Sequence, residues 1–345
     1  MATIREIAEK IGVSPTTVSN VINGHTEKVS SETLEKVERA LEAFQYGRQI
    51  SRAPVTTQIP FIAVGFGMDH SRNMMMDPFC GELFGAIEQE AHQYERHILY
   101  FTPETEEEIL RVSAPWNVEG VIMLGWKPEL CGHLMRRCSK PVVFVDSFFG
   151  DGDSEYENVG LQDYRGAYDM TAYLIRQGHR RIAYFCDQEV PAASSRERVM
   201  GWRAAMEAGG LCCREQDSYF IPNEKYLRHE VLRRFIHTHR KDYTALFFDS
   251  DYYASDAINV FRSQGIQIPD EISVAGFDDN IYAQLARPAL TTVRQSPTEK
   301  GRQALKLLMQ RIRGKKTPVS CLRLPAELIV RDSVRNIMRD ERNPC

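Results

Sequence analysis

The sequence predicts an all-α helix-turn-helix headpiece followed by an α/β core of two doubly wound parallel-sheet subdomains. Three observations predict it. Two short helical stripes near the amino terminus flank the turn in GVSPTTVS, residues 12–19. Residues 46–60, YGRQISRAPVTTQIP, carry two prolines and no apolar stripe, which reads as a linker. From Phe61 onward, short apolar runs alternate with amphipathic helices, the pattern of parallel strands covered by helices on both faces. The expected division is a headpiece at 1–46, a linker or hinge at 47–60 and a two-subdomain core at 61–345.

In the headpiece, Ile4, Ile7, Ala8 and Ile11 recur at i, i+3, i+4 and i+7, one face of a helix. Thr3 and Glu6 have capping-box spacing, and Gly12 suits the left-handed residue just past the helix. Ser14 is a good N-cap, and Pro15 falls where a missing N–H does no harm. Val18, Val21 and Ile22 form the second stripe, closed by Asn23-Gly24. A third helix is expected over 32–44 with Leu34, Val37, Leu41 and Phe44 facing inward. A tight turn between two short helices is the helix-turn-helix geometry. Burial of the second stripe leaves Thr16, Thr17 and Asn20 on the opposite face, where a recognition helix meets base edges. Threonine offers a hydroxyl and a methyl there, and Asn can pair with adenine. Thr3, Ser14, Ser19 and Ser31 sit at or near helix starts, which suit phosphate contacts. Residues 1–53 hold seven basic and seven acidic side chains, so charge gives this reading no support. A small helical cap with a polar face remains the alternative at this point.

The core strands are expected at 61–66, 97–101, 120–124, 141–145, 181–185, 219–221, 244–248 and 272–275. Helices are expected over 80–95, 163–177, 196–208, 226–238 and 252–264. Ligands in such sheets bind beyond the carboxyl ends of the strands, and two halves can turn those ends toward one cleft. Those ends carry Asp77 and Phe79, Trp126, Asp146, Asp187, Asp249-Ser250-Asp251 and Asp278-Asp279. Arg196 and Arg198 follow a Ser194-Ser195 cap. Carboxylates, an arginine and aromatic faces are what a sugar site uses. Each aspartate taken singly also suits a plain helix cap, Asp251 most of all because it opens a helix.

Composition narrows the class further. Net charge is −4, from 43 Lys+Arg against 47 Asp+Glu, and 43% hydrophobic residues suffice for real cores. No apolar run reaches the length of a membrane span, and the amino terminus lacks a signal-peptide pattern, so a cytoplasmic protein is expected. The eight cysteines include no CxxC spacing, and His237 and His239 read as solvated; no metal or cofactor is expected. The first core strand is followed by neither a GxGxxG nor a Walker loop, and no Ser-His-Asp or Cys-His arrangement is legible, so an enzyme is not expected.

These residues resemble the LacI/GalR family of bacterial transcription repressors over nearly the full length. The matching pieces are ATIREIAEKIGVSPTTVSNVING (2–24), VSSETLEKVERALEAFQY (29–46), DPFCGELFGAIEQEA (77–91), LIRQGHRRIAYF (174–185), SSRERVMGWRAAM (194–206) and IPDEISVAGFDDNIYAQLARPALTTVRQ (268–295). The resemblance implies a core of periplasmic-binding-protein type. It also implies a homodimer on palindromic double-stranded operator DNA, with a small effector, commonly a sugar, between the core halves. Thr16, Thr17 and Asn20 match base-reading positions; Ser14, Ser19 and Ser31 match phosphate contacts. Phe79, Asp146, Arg198 and Asp278 match the effector cleft. Ser250 stands where many members place Asn, and Trp126 and Tyr226 are the expected aromatic walls. A periplasmic-type binding protein without gene regulation and a purine-responsive regulator are the alternatives.

Two departures stand out. The family linker has a proline at the position of Arg48, whereas here Pro54 adjoins the expected minor-groove wedge position, Val55. Proline there opposes a continuing helix, so Arg48 and Arg52 are expected to grip backbone or minor groove instead. The carboxyl-terminal RNIMRDERNPC has no leucine heptad, so a dimer is expected rather than a tetramer.

Overall fold

The computed structural model describes residues 3–22, 26, 29–43, 59–67, 74–115, 117–147, 156–188, 193–315 and 321–338. The chain divides into two compact units, Met1–Ile59 and Pro60–Cys345. Arg48, Arg52 and most of the expected linker lie outside the described residues.

The headpiece holds three helices, α1 (Ile4–Ile11), α2 (Pro15–Ile22) and α3 (Ser31–Ala43). The reciprocal cap at the start of α1 is formed: Glu6 N donates to Thr3 Oγ1 (3.3 Å) and Thr3 N to Glu6 Oε2 (2.7 Å). Gly12 takes φ 71°, the left-handed turn that frees the chain to reverse. Ser14 Oγ then receives Thr17 N (3.0 Å), so the second helix starts where its cap dictates. Ile7, Ala8, Val18, Val21, Val37, Ala40 and Leu41 are buried together as one small core. The third helix is capped by Ser30, which receives Thr33 N (3.3 Å), so Ser31 is its first residue.

In the core, β1 (Phe61–Phe66), α4 (Pro78–Gln93), β2 (His97–Phe101), α5 (Glu106–Ser113), β3 (Val118–Leu124), α6 (Pro128–Arg137), β4 (Val142–Val145) and β5 (Asn158–Leu161) build most of a first lobe. A second lobe holds α7 (Asp163–Arg176), β6 (Ile182–Cys186), α8 (Ala193–Ala208), β7 (Ser218–Phe220), α9 (Lys225–His239), β8 (Ala245–Phe248), α10 (Asp251–Ser263), β9 (Ser273–Ala275), α11 (Ile281–Leu285) and β10 (Thr292–Arg294). The chain then returns. Helix α12 (Pro297–Ile312) packs on α4 and β3–β5, β11 (Cys321–Leu324) extends the first sheet, and β12 (Glu327–Ile329) pairs antiparallel with β10.

The first sheet runs β11-β5-β4-β3-β1-β2 and the second β7-β6-β8-β9, with every pairing parallel. Among the described residues the lobes are joined by three passages: β5 to α7, β10 to α12 and β11 to β12. Both sheets are covered on both faces. Ile62, Val64 and Phe66 face α4 and α12, while Ala63, Val121 and Met123 face Ile109 and Leu134 of α5 and α6. In the second lobe, Ala183, Phe185, Leu246 and Phe248 pack toward α9 and α10, and Ile182, Tyr184 and Phe247 toward α7 and α8. Burial on both faces is why these strands read as continuous apolar runs; each large side chain contributes about 1.5–3 kcal/mol. Helices α7 and α8 touch at Gly201, where a Cβ would come within 2.2 Å of the Tyr164 carbonyl oxygen.

The strand–helix alternation matches the sequence reading from Phe61 to Ala275. Helices α5, α6, α11 and α12 and strands β5, β10, β11 and β12 were not legible. Helix α5 is only eight residues and opens with three glutamates. Strand β11 is placed by the return of the chain, a long-range event with no local mark. Helix α8 begins at Ala193, so Ser194 and Ser195 lie in its first turn rather than before it.

Candidate functional site

The headpiece presents one candidate surface. Thr16 is exposed, and Thr17, Ser19 and Asn20 are half-buried, on the side of α2 away from Val18 and Val21. Thr17 Oγ1 lies 2.8 Å from Ser14 Oγ, so these two hydroxyls are held as a pair at the start of the helix. Thr3 and Ser14 cap the first two helices, and Ser31 is exposed in the first turn of α3. Each of the three headpiece helices thus starts at a hydroxyl cap (Thr3, Ser14 and Ser30), and helix N-termini attract phosphate.

The core presents the second, a cavity of about 520 Å³ between the carboxyl ends of the two sheets. The first lobe supplies Asp77, Phe79, Trp126, Lys127, Glu129 and Asp146; the second supplies Asp187, Arg198, Asn223, Asp249, Ser250, Tyr252, Tyr253 and Asp278. The parallel winding is the reason. Each carboxylate follows a strand end, and both sheets point those ends inward.

Six of the side chains expected here line the cavity: Phe79, Trp126, Asp146, Arg198, Ser250 and Asp278. Tyr226 does not. Glu224 caps α9 by receiving Tyr226 N (2.9 Å) and Leu227 N (2.7 Å), which turns Tyr226 outward, 69% exposed. Tyr252 and Tyr253 supply the aromatic surface of that lobe instead. Asp251 is buried, receives Thr292 Oγ1 (2.6 Å) and Asn280 N (3.1 Å), and is structural, as its helix-opening position suggested.

Arg198 is held rather than free. Its Nε donates to Asp163 Oδ1 (2.8 Å), its Nη1 to the Asp249 carbonyl (2.8 Å), and its guanidinium lies 3.8 Å from the Phe277 ring centroid. Burial opposes its charge, but Asp163, Asp249 and Asp278 around it more than offset that and keep it protonated. Asp249 in turn receives Ser195 Oγ (2.7 Å) and Tyr184 Oη (2.5 Å). Cys186, Asp187 and Asp249 come within metal-ligand reach of one another. Burial pushes the Cys186 thiol far up, however, and it points its hydrogen at Asp249 (3.7 Å), so this donor set is already spent on internal bonds.

Two residues that sequence reasoning missed support the site: Gln295 lines the cavity, and Lys300 is buried against Asp146. Lys300, fully buried in the first turn of α12, donates to both oxygens of Asp146 (2.7 and 2.8 Å) and to Gln295 Oε1 (2.7 Å). Gln295 Nε2 donates to Asp278 Oδ1 (2.6 Å). A signal existed: Lys300, Ala304 and Leu308 share one helical stripe, which puts a lysine on the buried side. Asp146, Ala193, Asp278 and Asp279 all have positive φ (54°, 45°, 124° and 59°). Strained backbone of this kind gathers at ligand sites. Burial raises the Asp278 carboxyl to about 7; Asp77 and Asp249 add to the rise, while Arg198 and Gln295 oppose it.

Comparison with known proteins accords with both surfaces. The family profile described as "Bacterial regulatory proteins, lacI family" matches residues 3–49, and that described as "Periplasmic binding protein-like domain" matches 171–334. The HTH-type transcriptional repressor PurR of Haemophilus influenzae is 28% identical over 98% of this chain and 100% of its own length. The HTH-type transcriptional regulator DegA of Bacillus subtilis is 29% identical over 96% and 97%. Among solved structures, a complex of the transcriptional regulator CelR with cellobiose matches with a TM-score of 0.72 and 26% identity over 96% of this chain and 100% of that one. The lac repressor dimer bound to operator matches in fold, with a TM-score of 0.69 and 21% identity over 97% and 99%.

The chain belongs to the LacI/GalR family. It is a DNA-binding transcriptional regulator with the two-subdomain core of that family. LacI-type repressors bind operator DNA and a small effector, and family members are repressors rather than enzymes.

The raised Asp278 carboxyl has a consequence for stability. Its folded value, about 7, lies above the ordinary 3.8, so its contribution is full below about pH 4 and is lost as pH rises through 7. Asp278→Asn should therefore gain stability relative to the parent chain by up to about 4 kcal/mol between about pH 4 and about pH 8. Urea unfolding across that range measures it; a constant difference between the two proteins contradicts it.

Proposed function

We propose that this regulator controls a carbohydrate-utilisation operon, most simply as a cytoplasmic repressor, and that a neutral sugar in the cleft sets its grip on a palindromic operator. One observation carries the sugar reading: Phe79, Trp126, Arg198, Ser250 and Asp278 converge on one cavity with further tyrosines and carboxylates. Aromatic faces suit the apolar side of a pyranose, and fixed carboxylates accept from hydroxyls. The lining holds six carboxylates (Asp77, Glu129, Asp146, Asp187, Asp249, Asp278) against Lys127 and Arg198, which disfavours phosphorylated sugars. The cellobiose complex of CelR supports the same class. A purine or other metabolite is the second reading, favoured by the similarity to PurR repressors along nearly the whole chain. A thermal-shift panel of mono- and disaccharides, phosphosugars and purines separates them. A true effector at about 100-fold over its Kd adds about 2.7 kcal/mol of stability.

In this reading Thr16, Thr17 and Asn20 contact base edges, Thr3, Ser14, Ser19 and Ser31 contact phosphate, and Arg48 and Arg52 from the linker grip backbone or minor groove. Asn20→Ala and Thr16→Ala should each relax base selection by about 1–3 kcal/mol at one operator position. Selection of duplexes from a random pool, repeated with each variant, reads this out; unchanged operator preference contradicts the assignment.

A homodimer is part of the proposal. Tyr226 and Leu227 at the start of α9 and Ile281 and Leu285 at the two ends of α11 are exposed, and α10, which packs on both helices, carries Tyr252, its ring 5.2 Å from that of Tyr282. An apolar face of this kind marks an association surface. Leu285→Glu should convert dimer to monomer in light scattering and weaken operator binding at least tenfold; a dimer unaffected by the change contradicts this face.

A further inference from the structure

We propose that Lys300 is a positioning residue that, through Gln295, fixes Asp278 as a hydrogen-bond acceptor toward the effector. An ammonium has three N–H donors and no acceptor. All three are matched: two by Asp146 and one by Gln295 Oε1, at 2.7–2.8 Å. The amide of Gln295 therefore has no choice of orientation. Its oxygen must face Lys300, so its nitrogen must face Asp278, as it does at 2.6 Å. Asp278 Oδ1 must then accept, and the other carboxylate oxygen is left to accept from a ligand hydroxyl. With an apolar residue at 300, the amide would be free to turn its oxygen to Asp278 and favour the protonated acid.

The direction matters because the surroundings push the other way. Asp278 is half-buried on the cavity wall near Asp77 ahead of α4 and near Asp249 and Asp251 at the start of α10, with Asp279 as its chain neighbour and Arg198 from α8 as the nearby cation. Asp279 is itself held by Arg294 (2.7 Å) and Arg331 (2.5 Å). A carboxyl so placed would readily take a proton and become a donor, reversing what it selects in a ligand. The chain Asp146–Lys300–Gln295–Asp278 also spans the passage from β10 to α12, so it ties a carboxylate of one lobe to a carboxylate of the other.

The test contains no effector, although the meaning of the inference rests on the cavity being the effector site. A failed ligand screen and a failed titration are thus separate results. Thermal unfolding is followed from about pH 4 to about pH 10 for each protein and for the same protein carrying Asp278→Asn, and the difference isolates the Asp278 titration. Gln295→Leu removes the relay but spares the Asp146–Lys300 pair. Asp146→Asn combined with Lys300→Met removes both charges and avoids stranding one of them. Both should raise the midpoint of the Asp278 titration by about one pH unit, a tenfold gain in proton affinity. Gln295→Glu, which accepts from Lys300 but cannot donate to Asp278, should raise it further. A merely structural role lowers the melting temperature at every pH and leaves the midpoint in place. An unmoved midpoint in Gln295→Leu, or in the Asp146–Lys300 double variant, overturns the proposal.

Discussion

Carboxylates gathered at the ends of parallel strands repel one another, and this cleft exists because two buried cations hold them apart in fixed places. Arg198 ties Asp163 to the Asp249 turn, and Lys300 ties Asp146 to Gln295. Neither cation could be removed alone without leaving a buried charge uncompensated, which costs about 3–5 kcal/mol. The cations also decide which oxygens remain for a ligand. Asp146 meets its lysine with both oxygens, whereas Asp278 gives one to Gln295. The chemistry of the cleft is thus set less by the number of acidic residues than by which of their lone pairs are already taken.

The same arrangement bears on regulation. Each lobe has its own sheet and its own cores, and among the described residues three passages of the chain join them. A ligand shifts an equilibrium between closures of two lobes only by binding one closure better than another. In the proposed function a polyol spanning the cleft would meet Phe79 and Trp126 on one side and Arg198 and Asp278 on the other, so its contacts would depend on how the lobes close. Coupling energies of about 1–3 kcal/mol are enough to change operator affinity roughly 5–150-fold.

Much of this was legible in the sequence because local chemistry dictates it. Thr3, Gly12, Ser14 and Pro15 mark helix ends whose capping bonds are formed where their types require. The strand-end rule pointed to Phe79, Trp126, Asp146, Ser250 and Asp278, and the family resemblance added Arg198; all six line the cavity. What escaped depended on distance along the chain or on direction. Tyr226 looked like a wall residue, but the carboxylate cap of Glu224 aims it outward. Lys300 was not singled out at all, because nothing near it in the chain shows that its partner Asp146 lies 154 residues away. Strand β11 joins a sheet begun 260 residues earlier (321 − 61), and nothing local announces it.

The central claim is that the headpiece reads duplex DNA and the cleft sets how firmly. The most direct measurement is the affinity of the full-length protein for a selected palindromic duplex and for random duplex, with and without the sugar that stabilises it most. The account predicts a preference of about 10³-fold or more for the palindrome, altered at least fivefold by the sugar. Equal affinity for both duplexes, or a palindrome affinity that the bound sugar leaves unchanged, would contradict it.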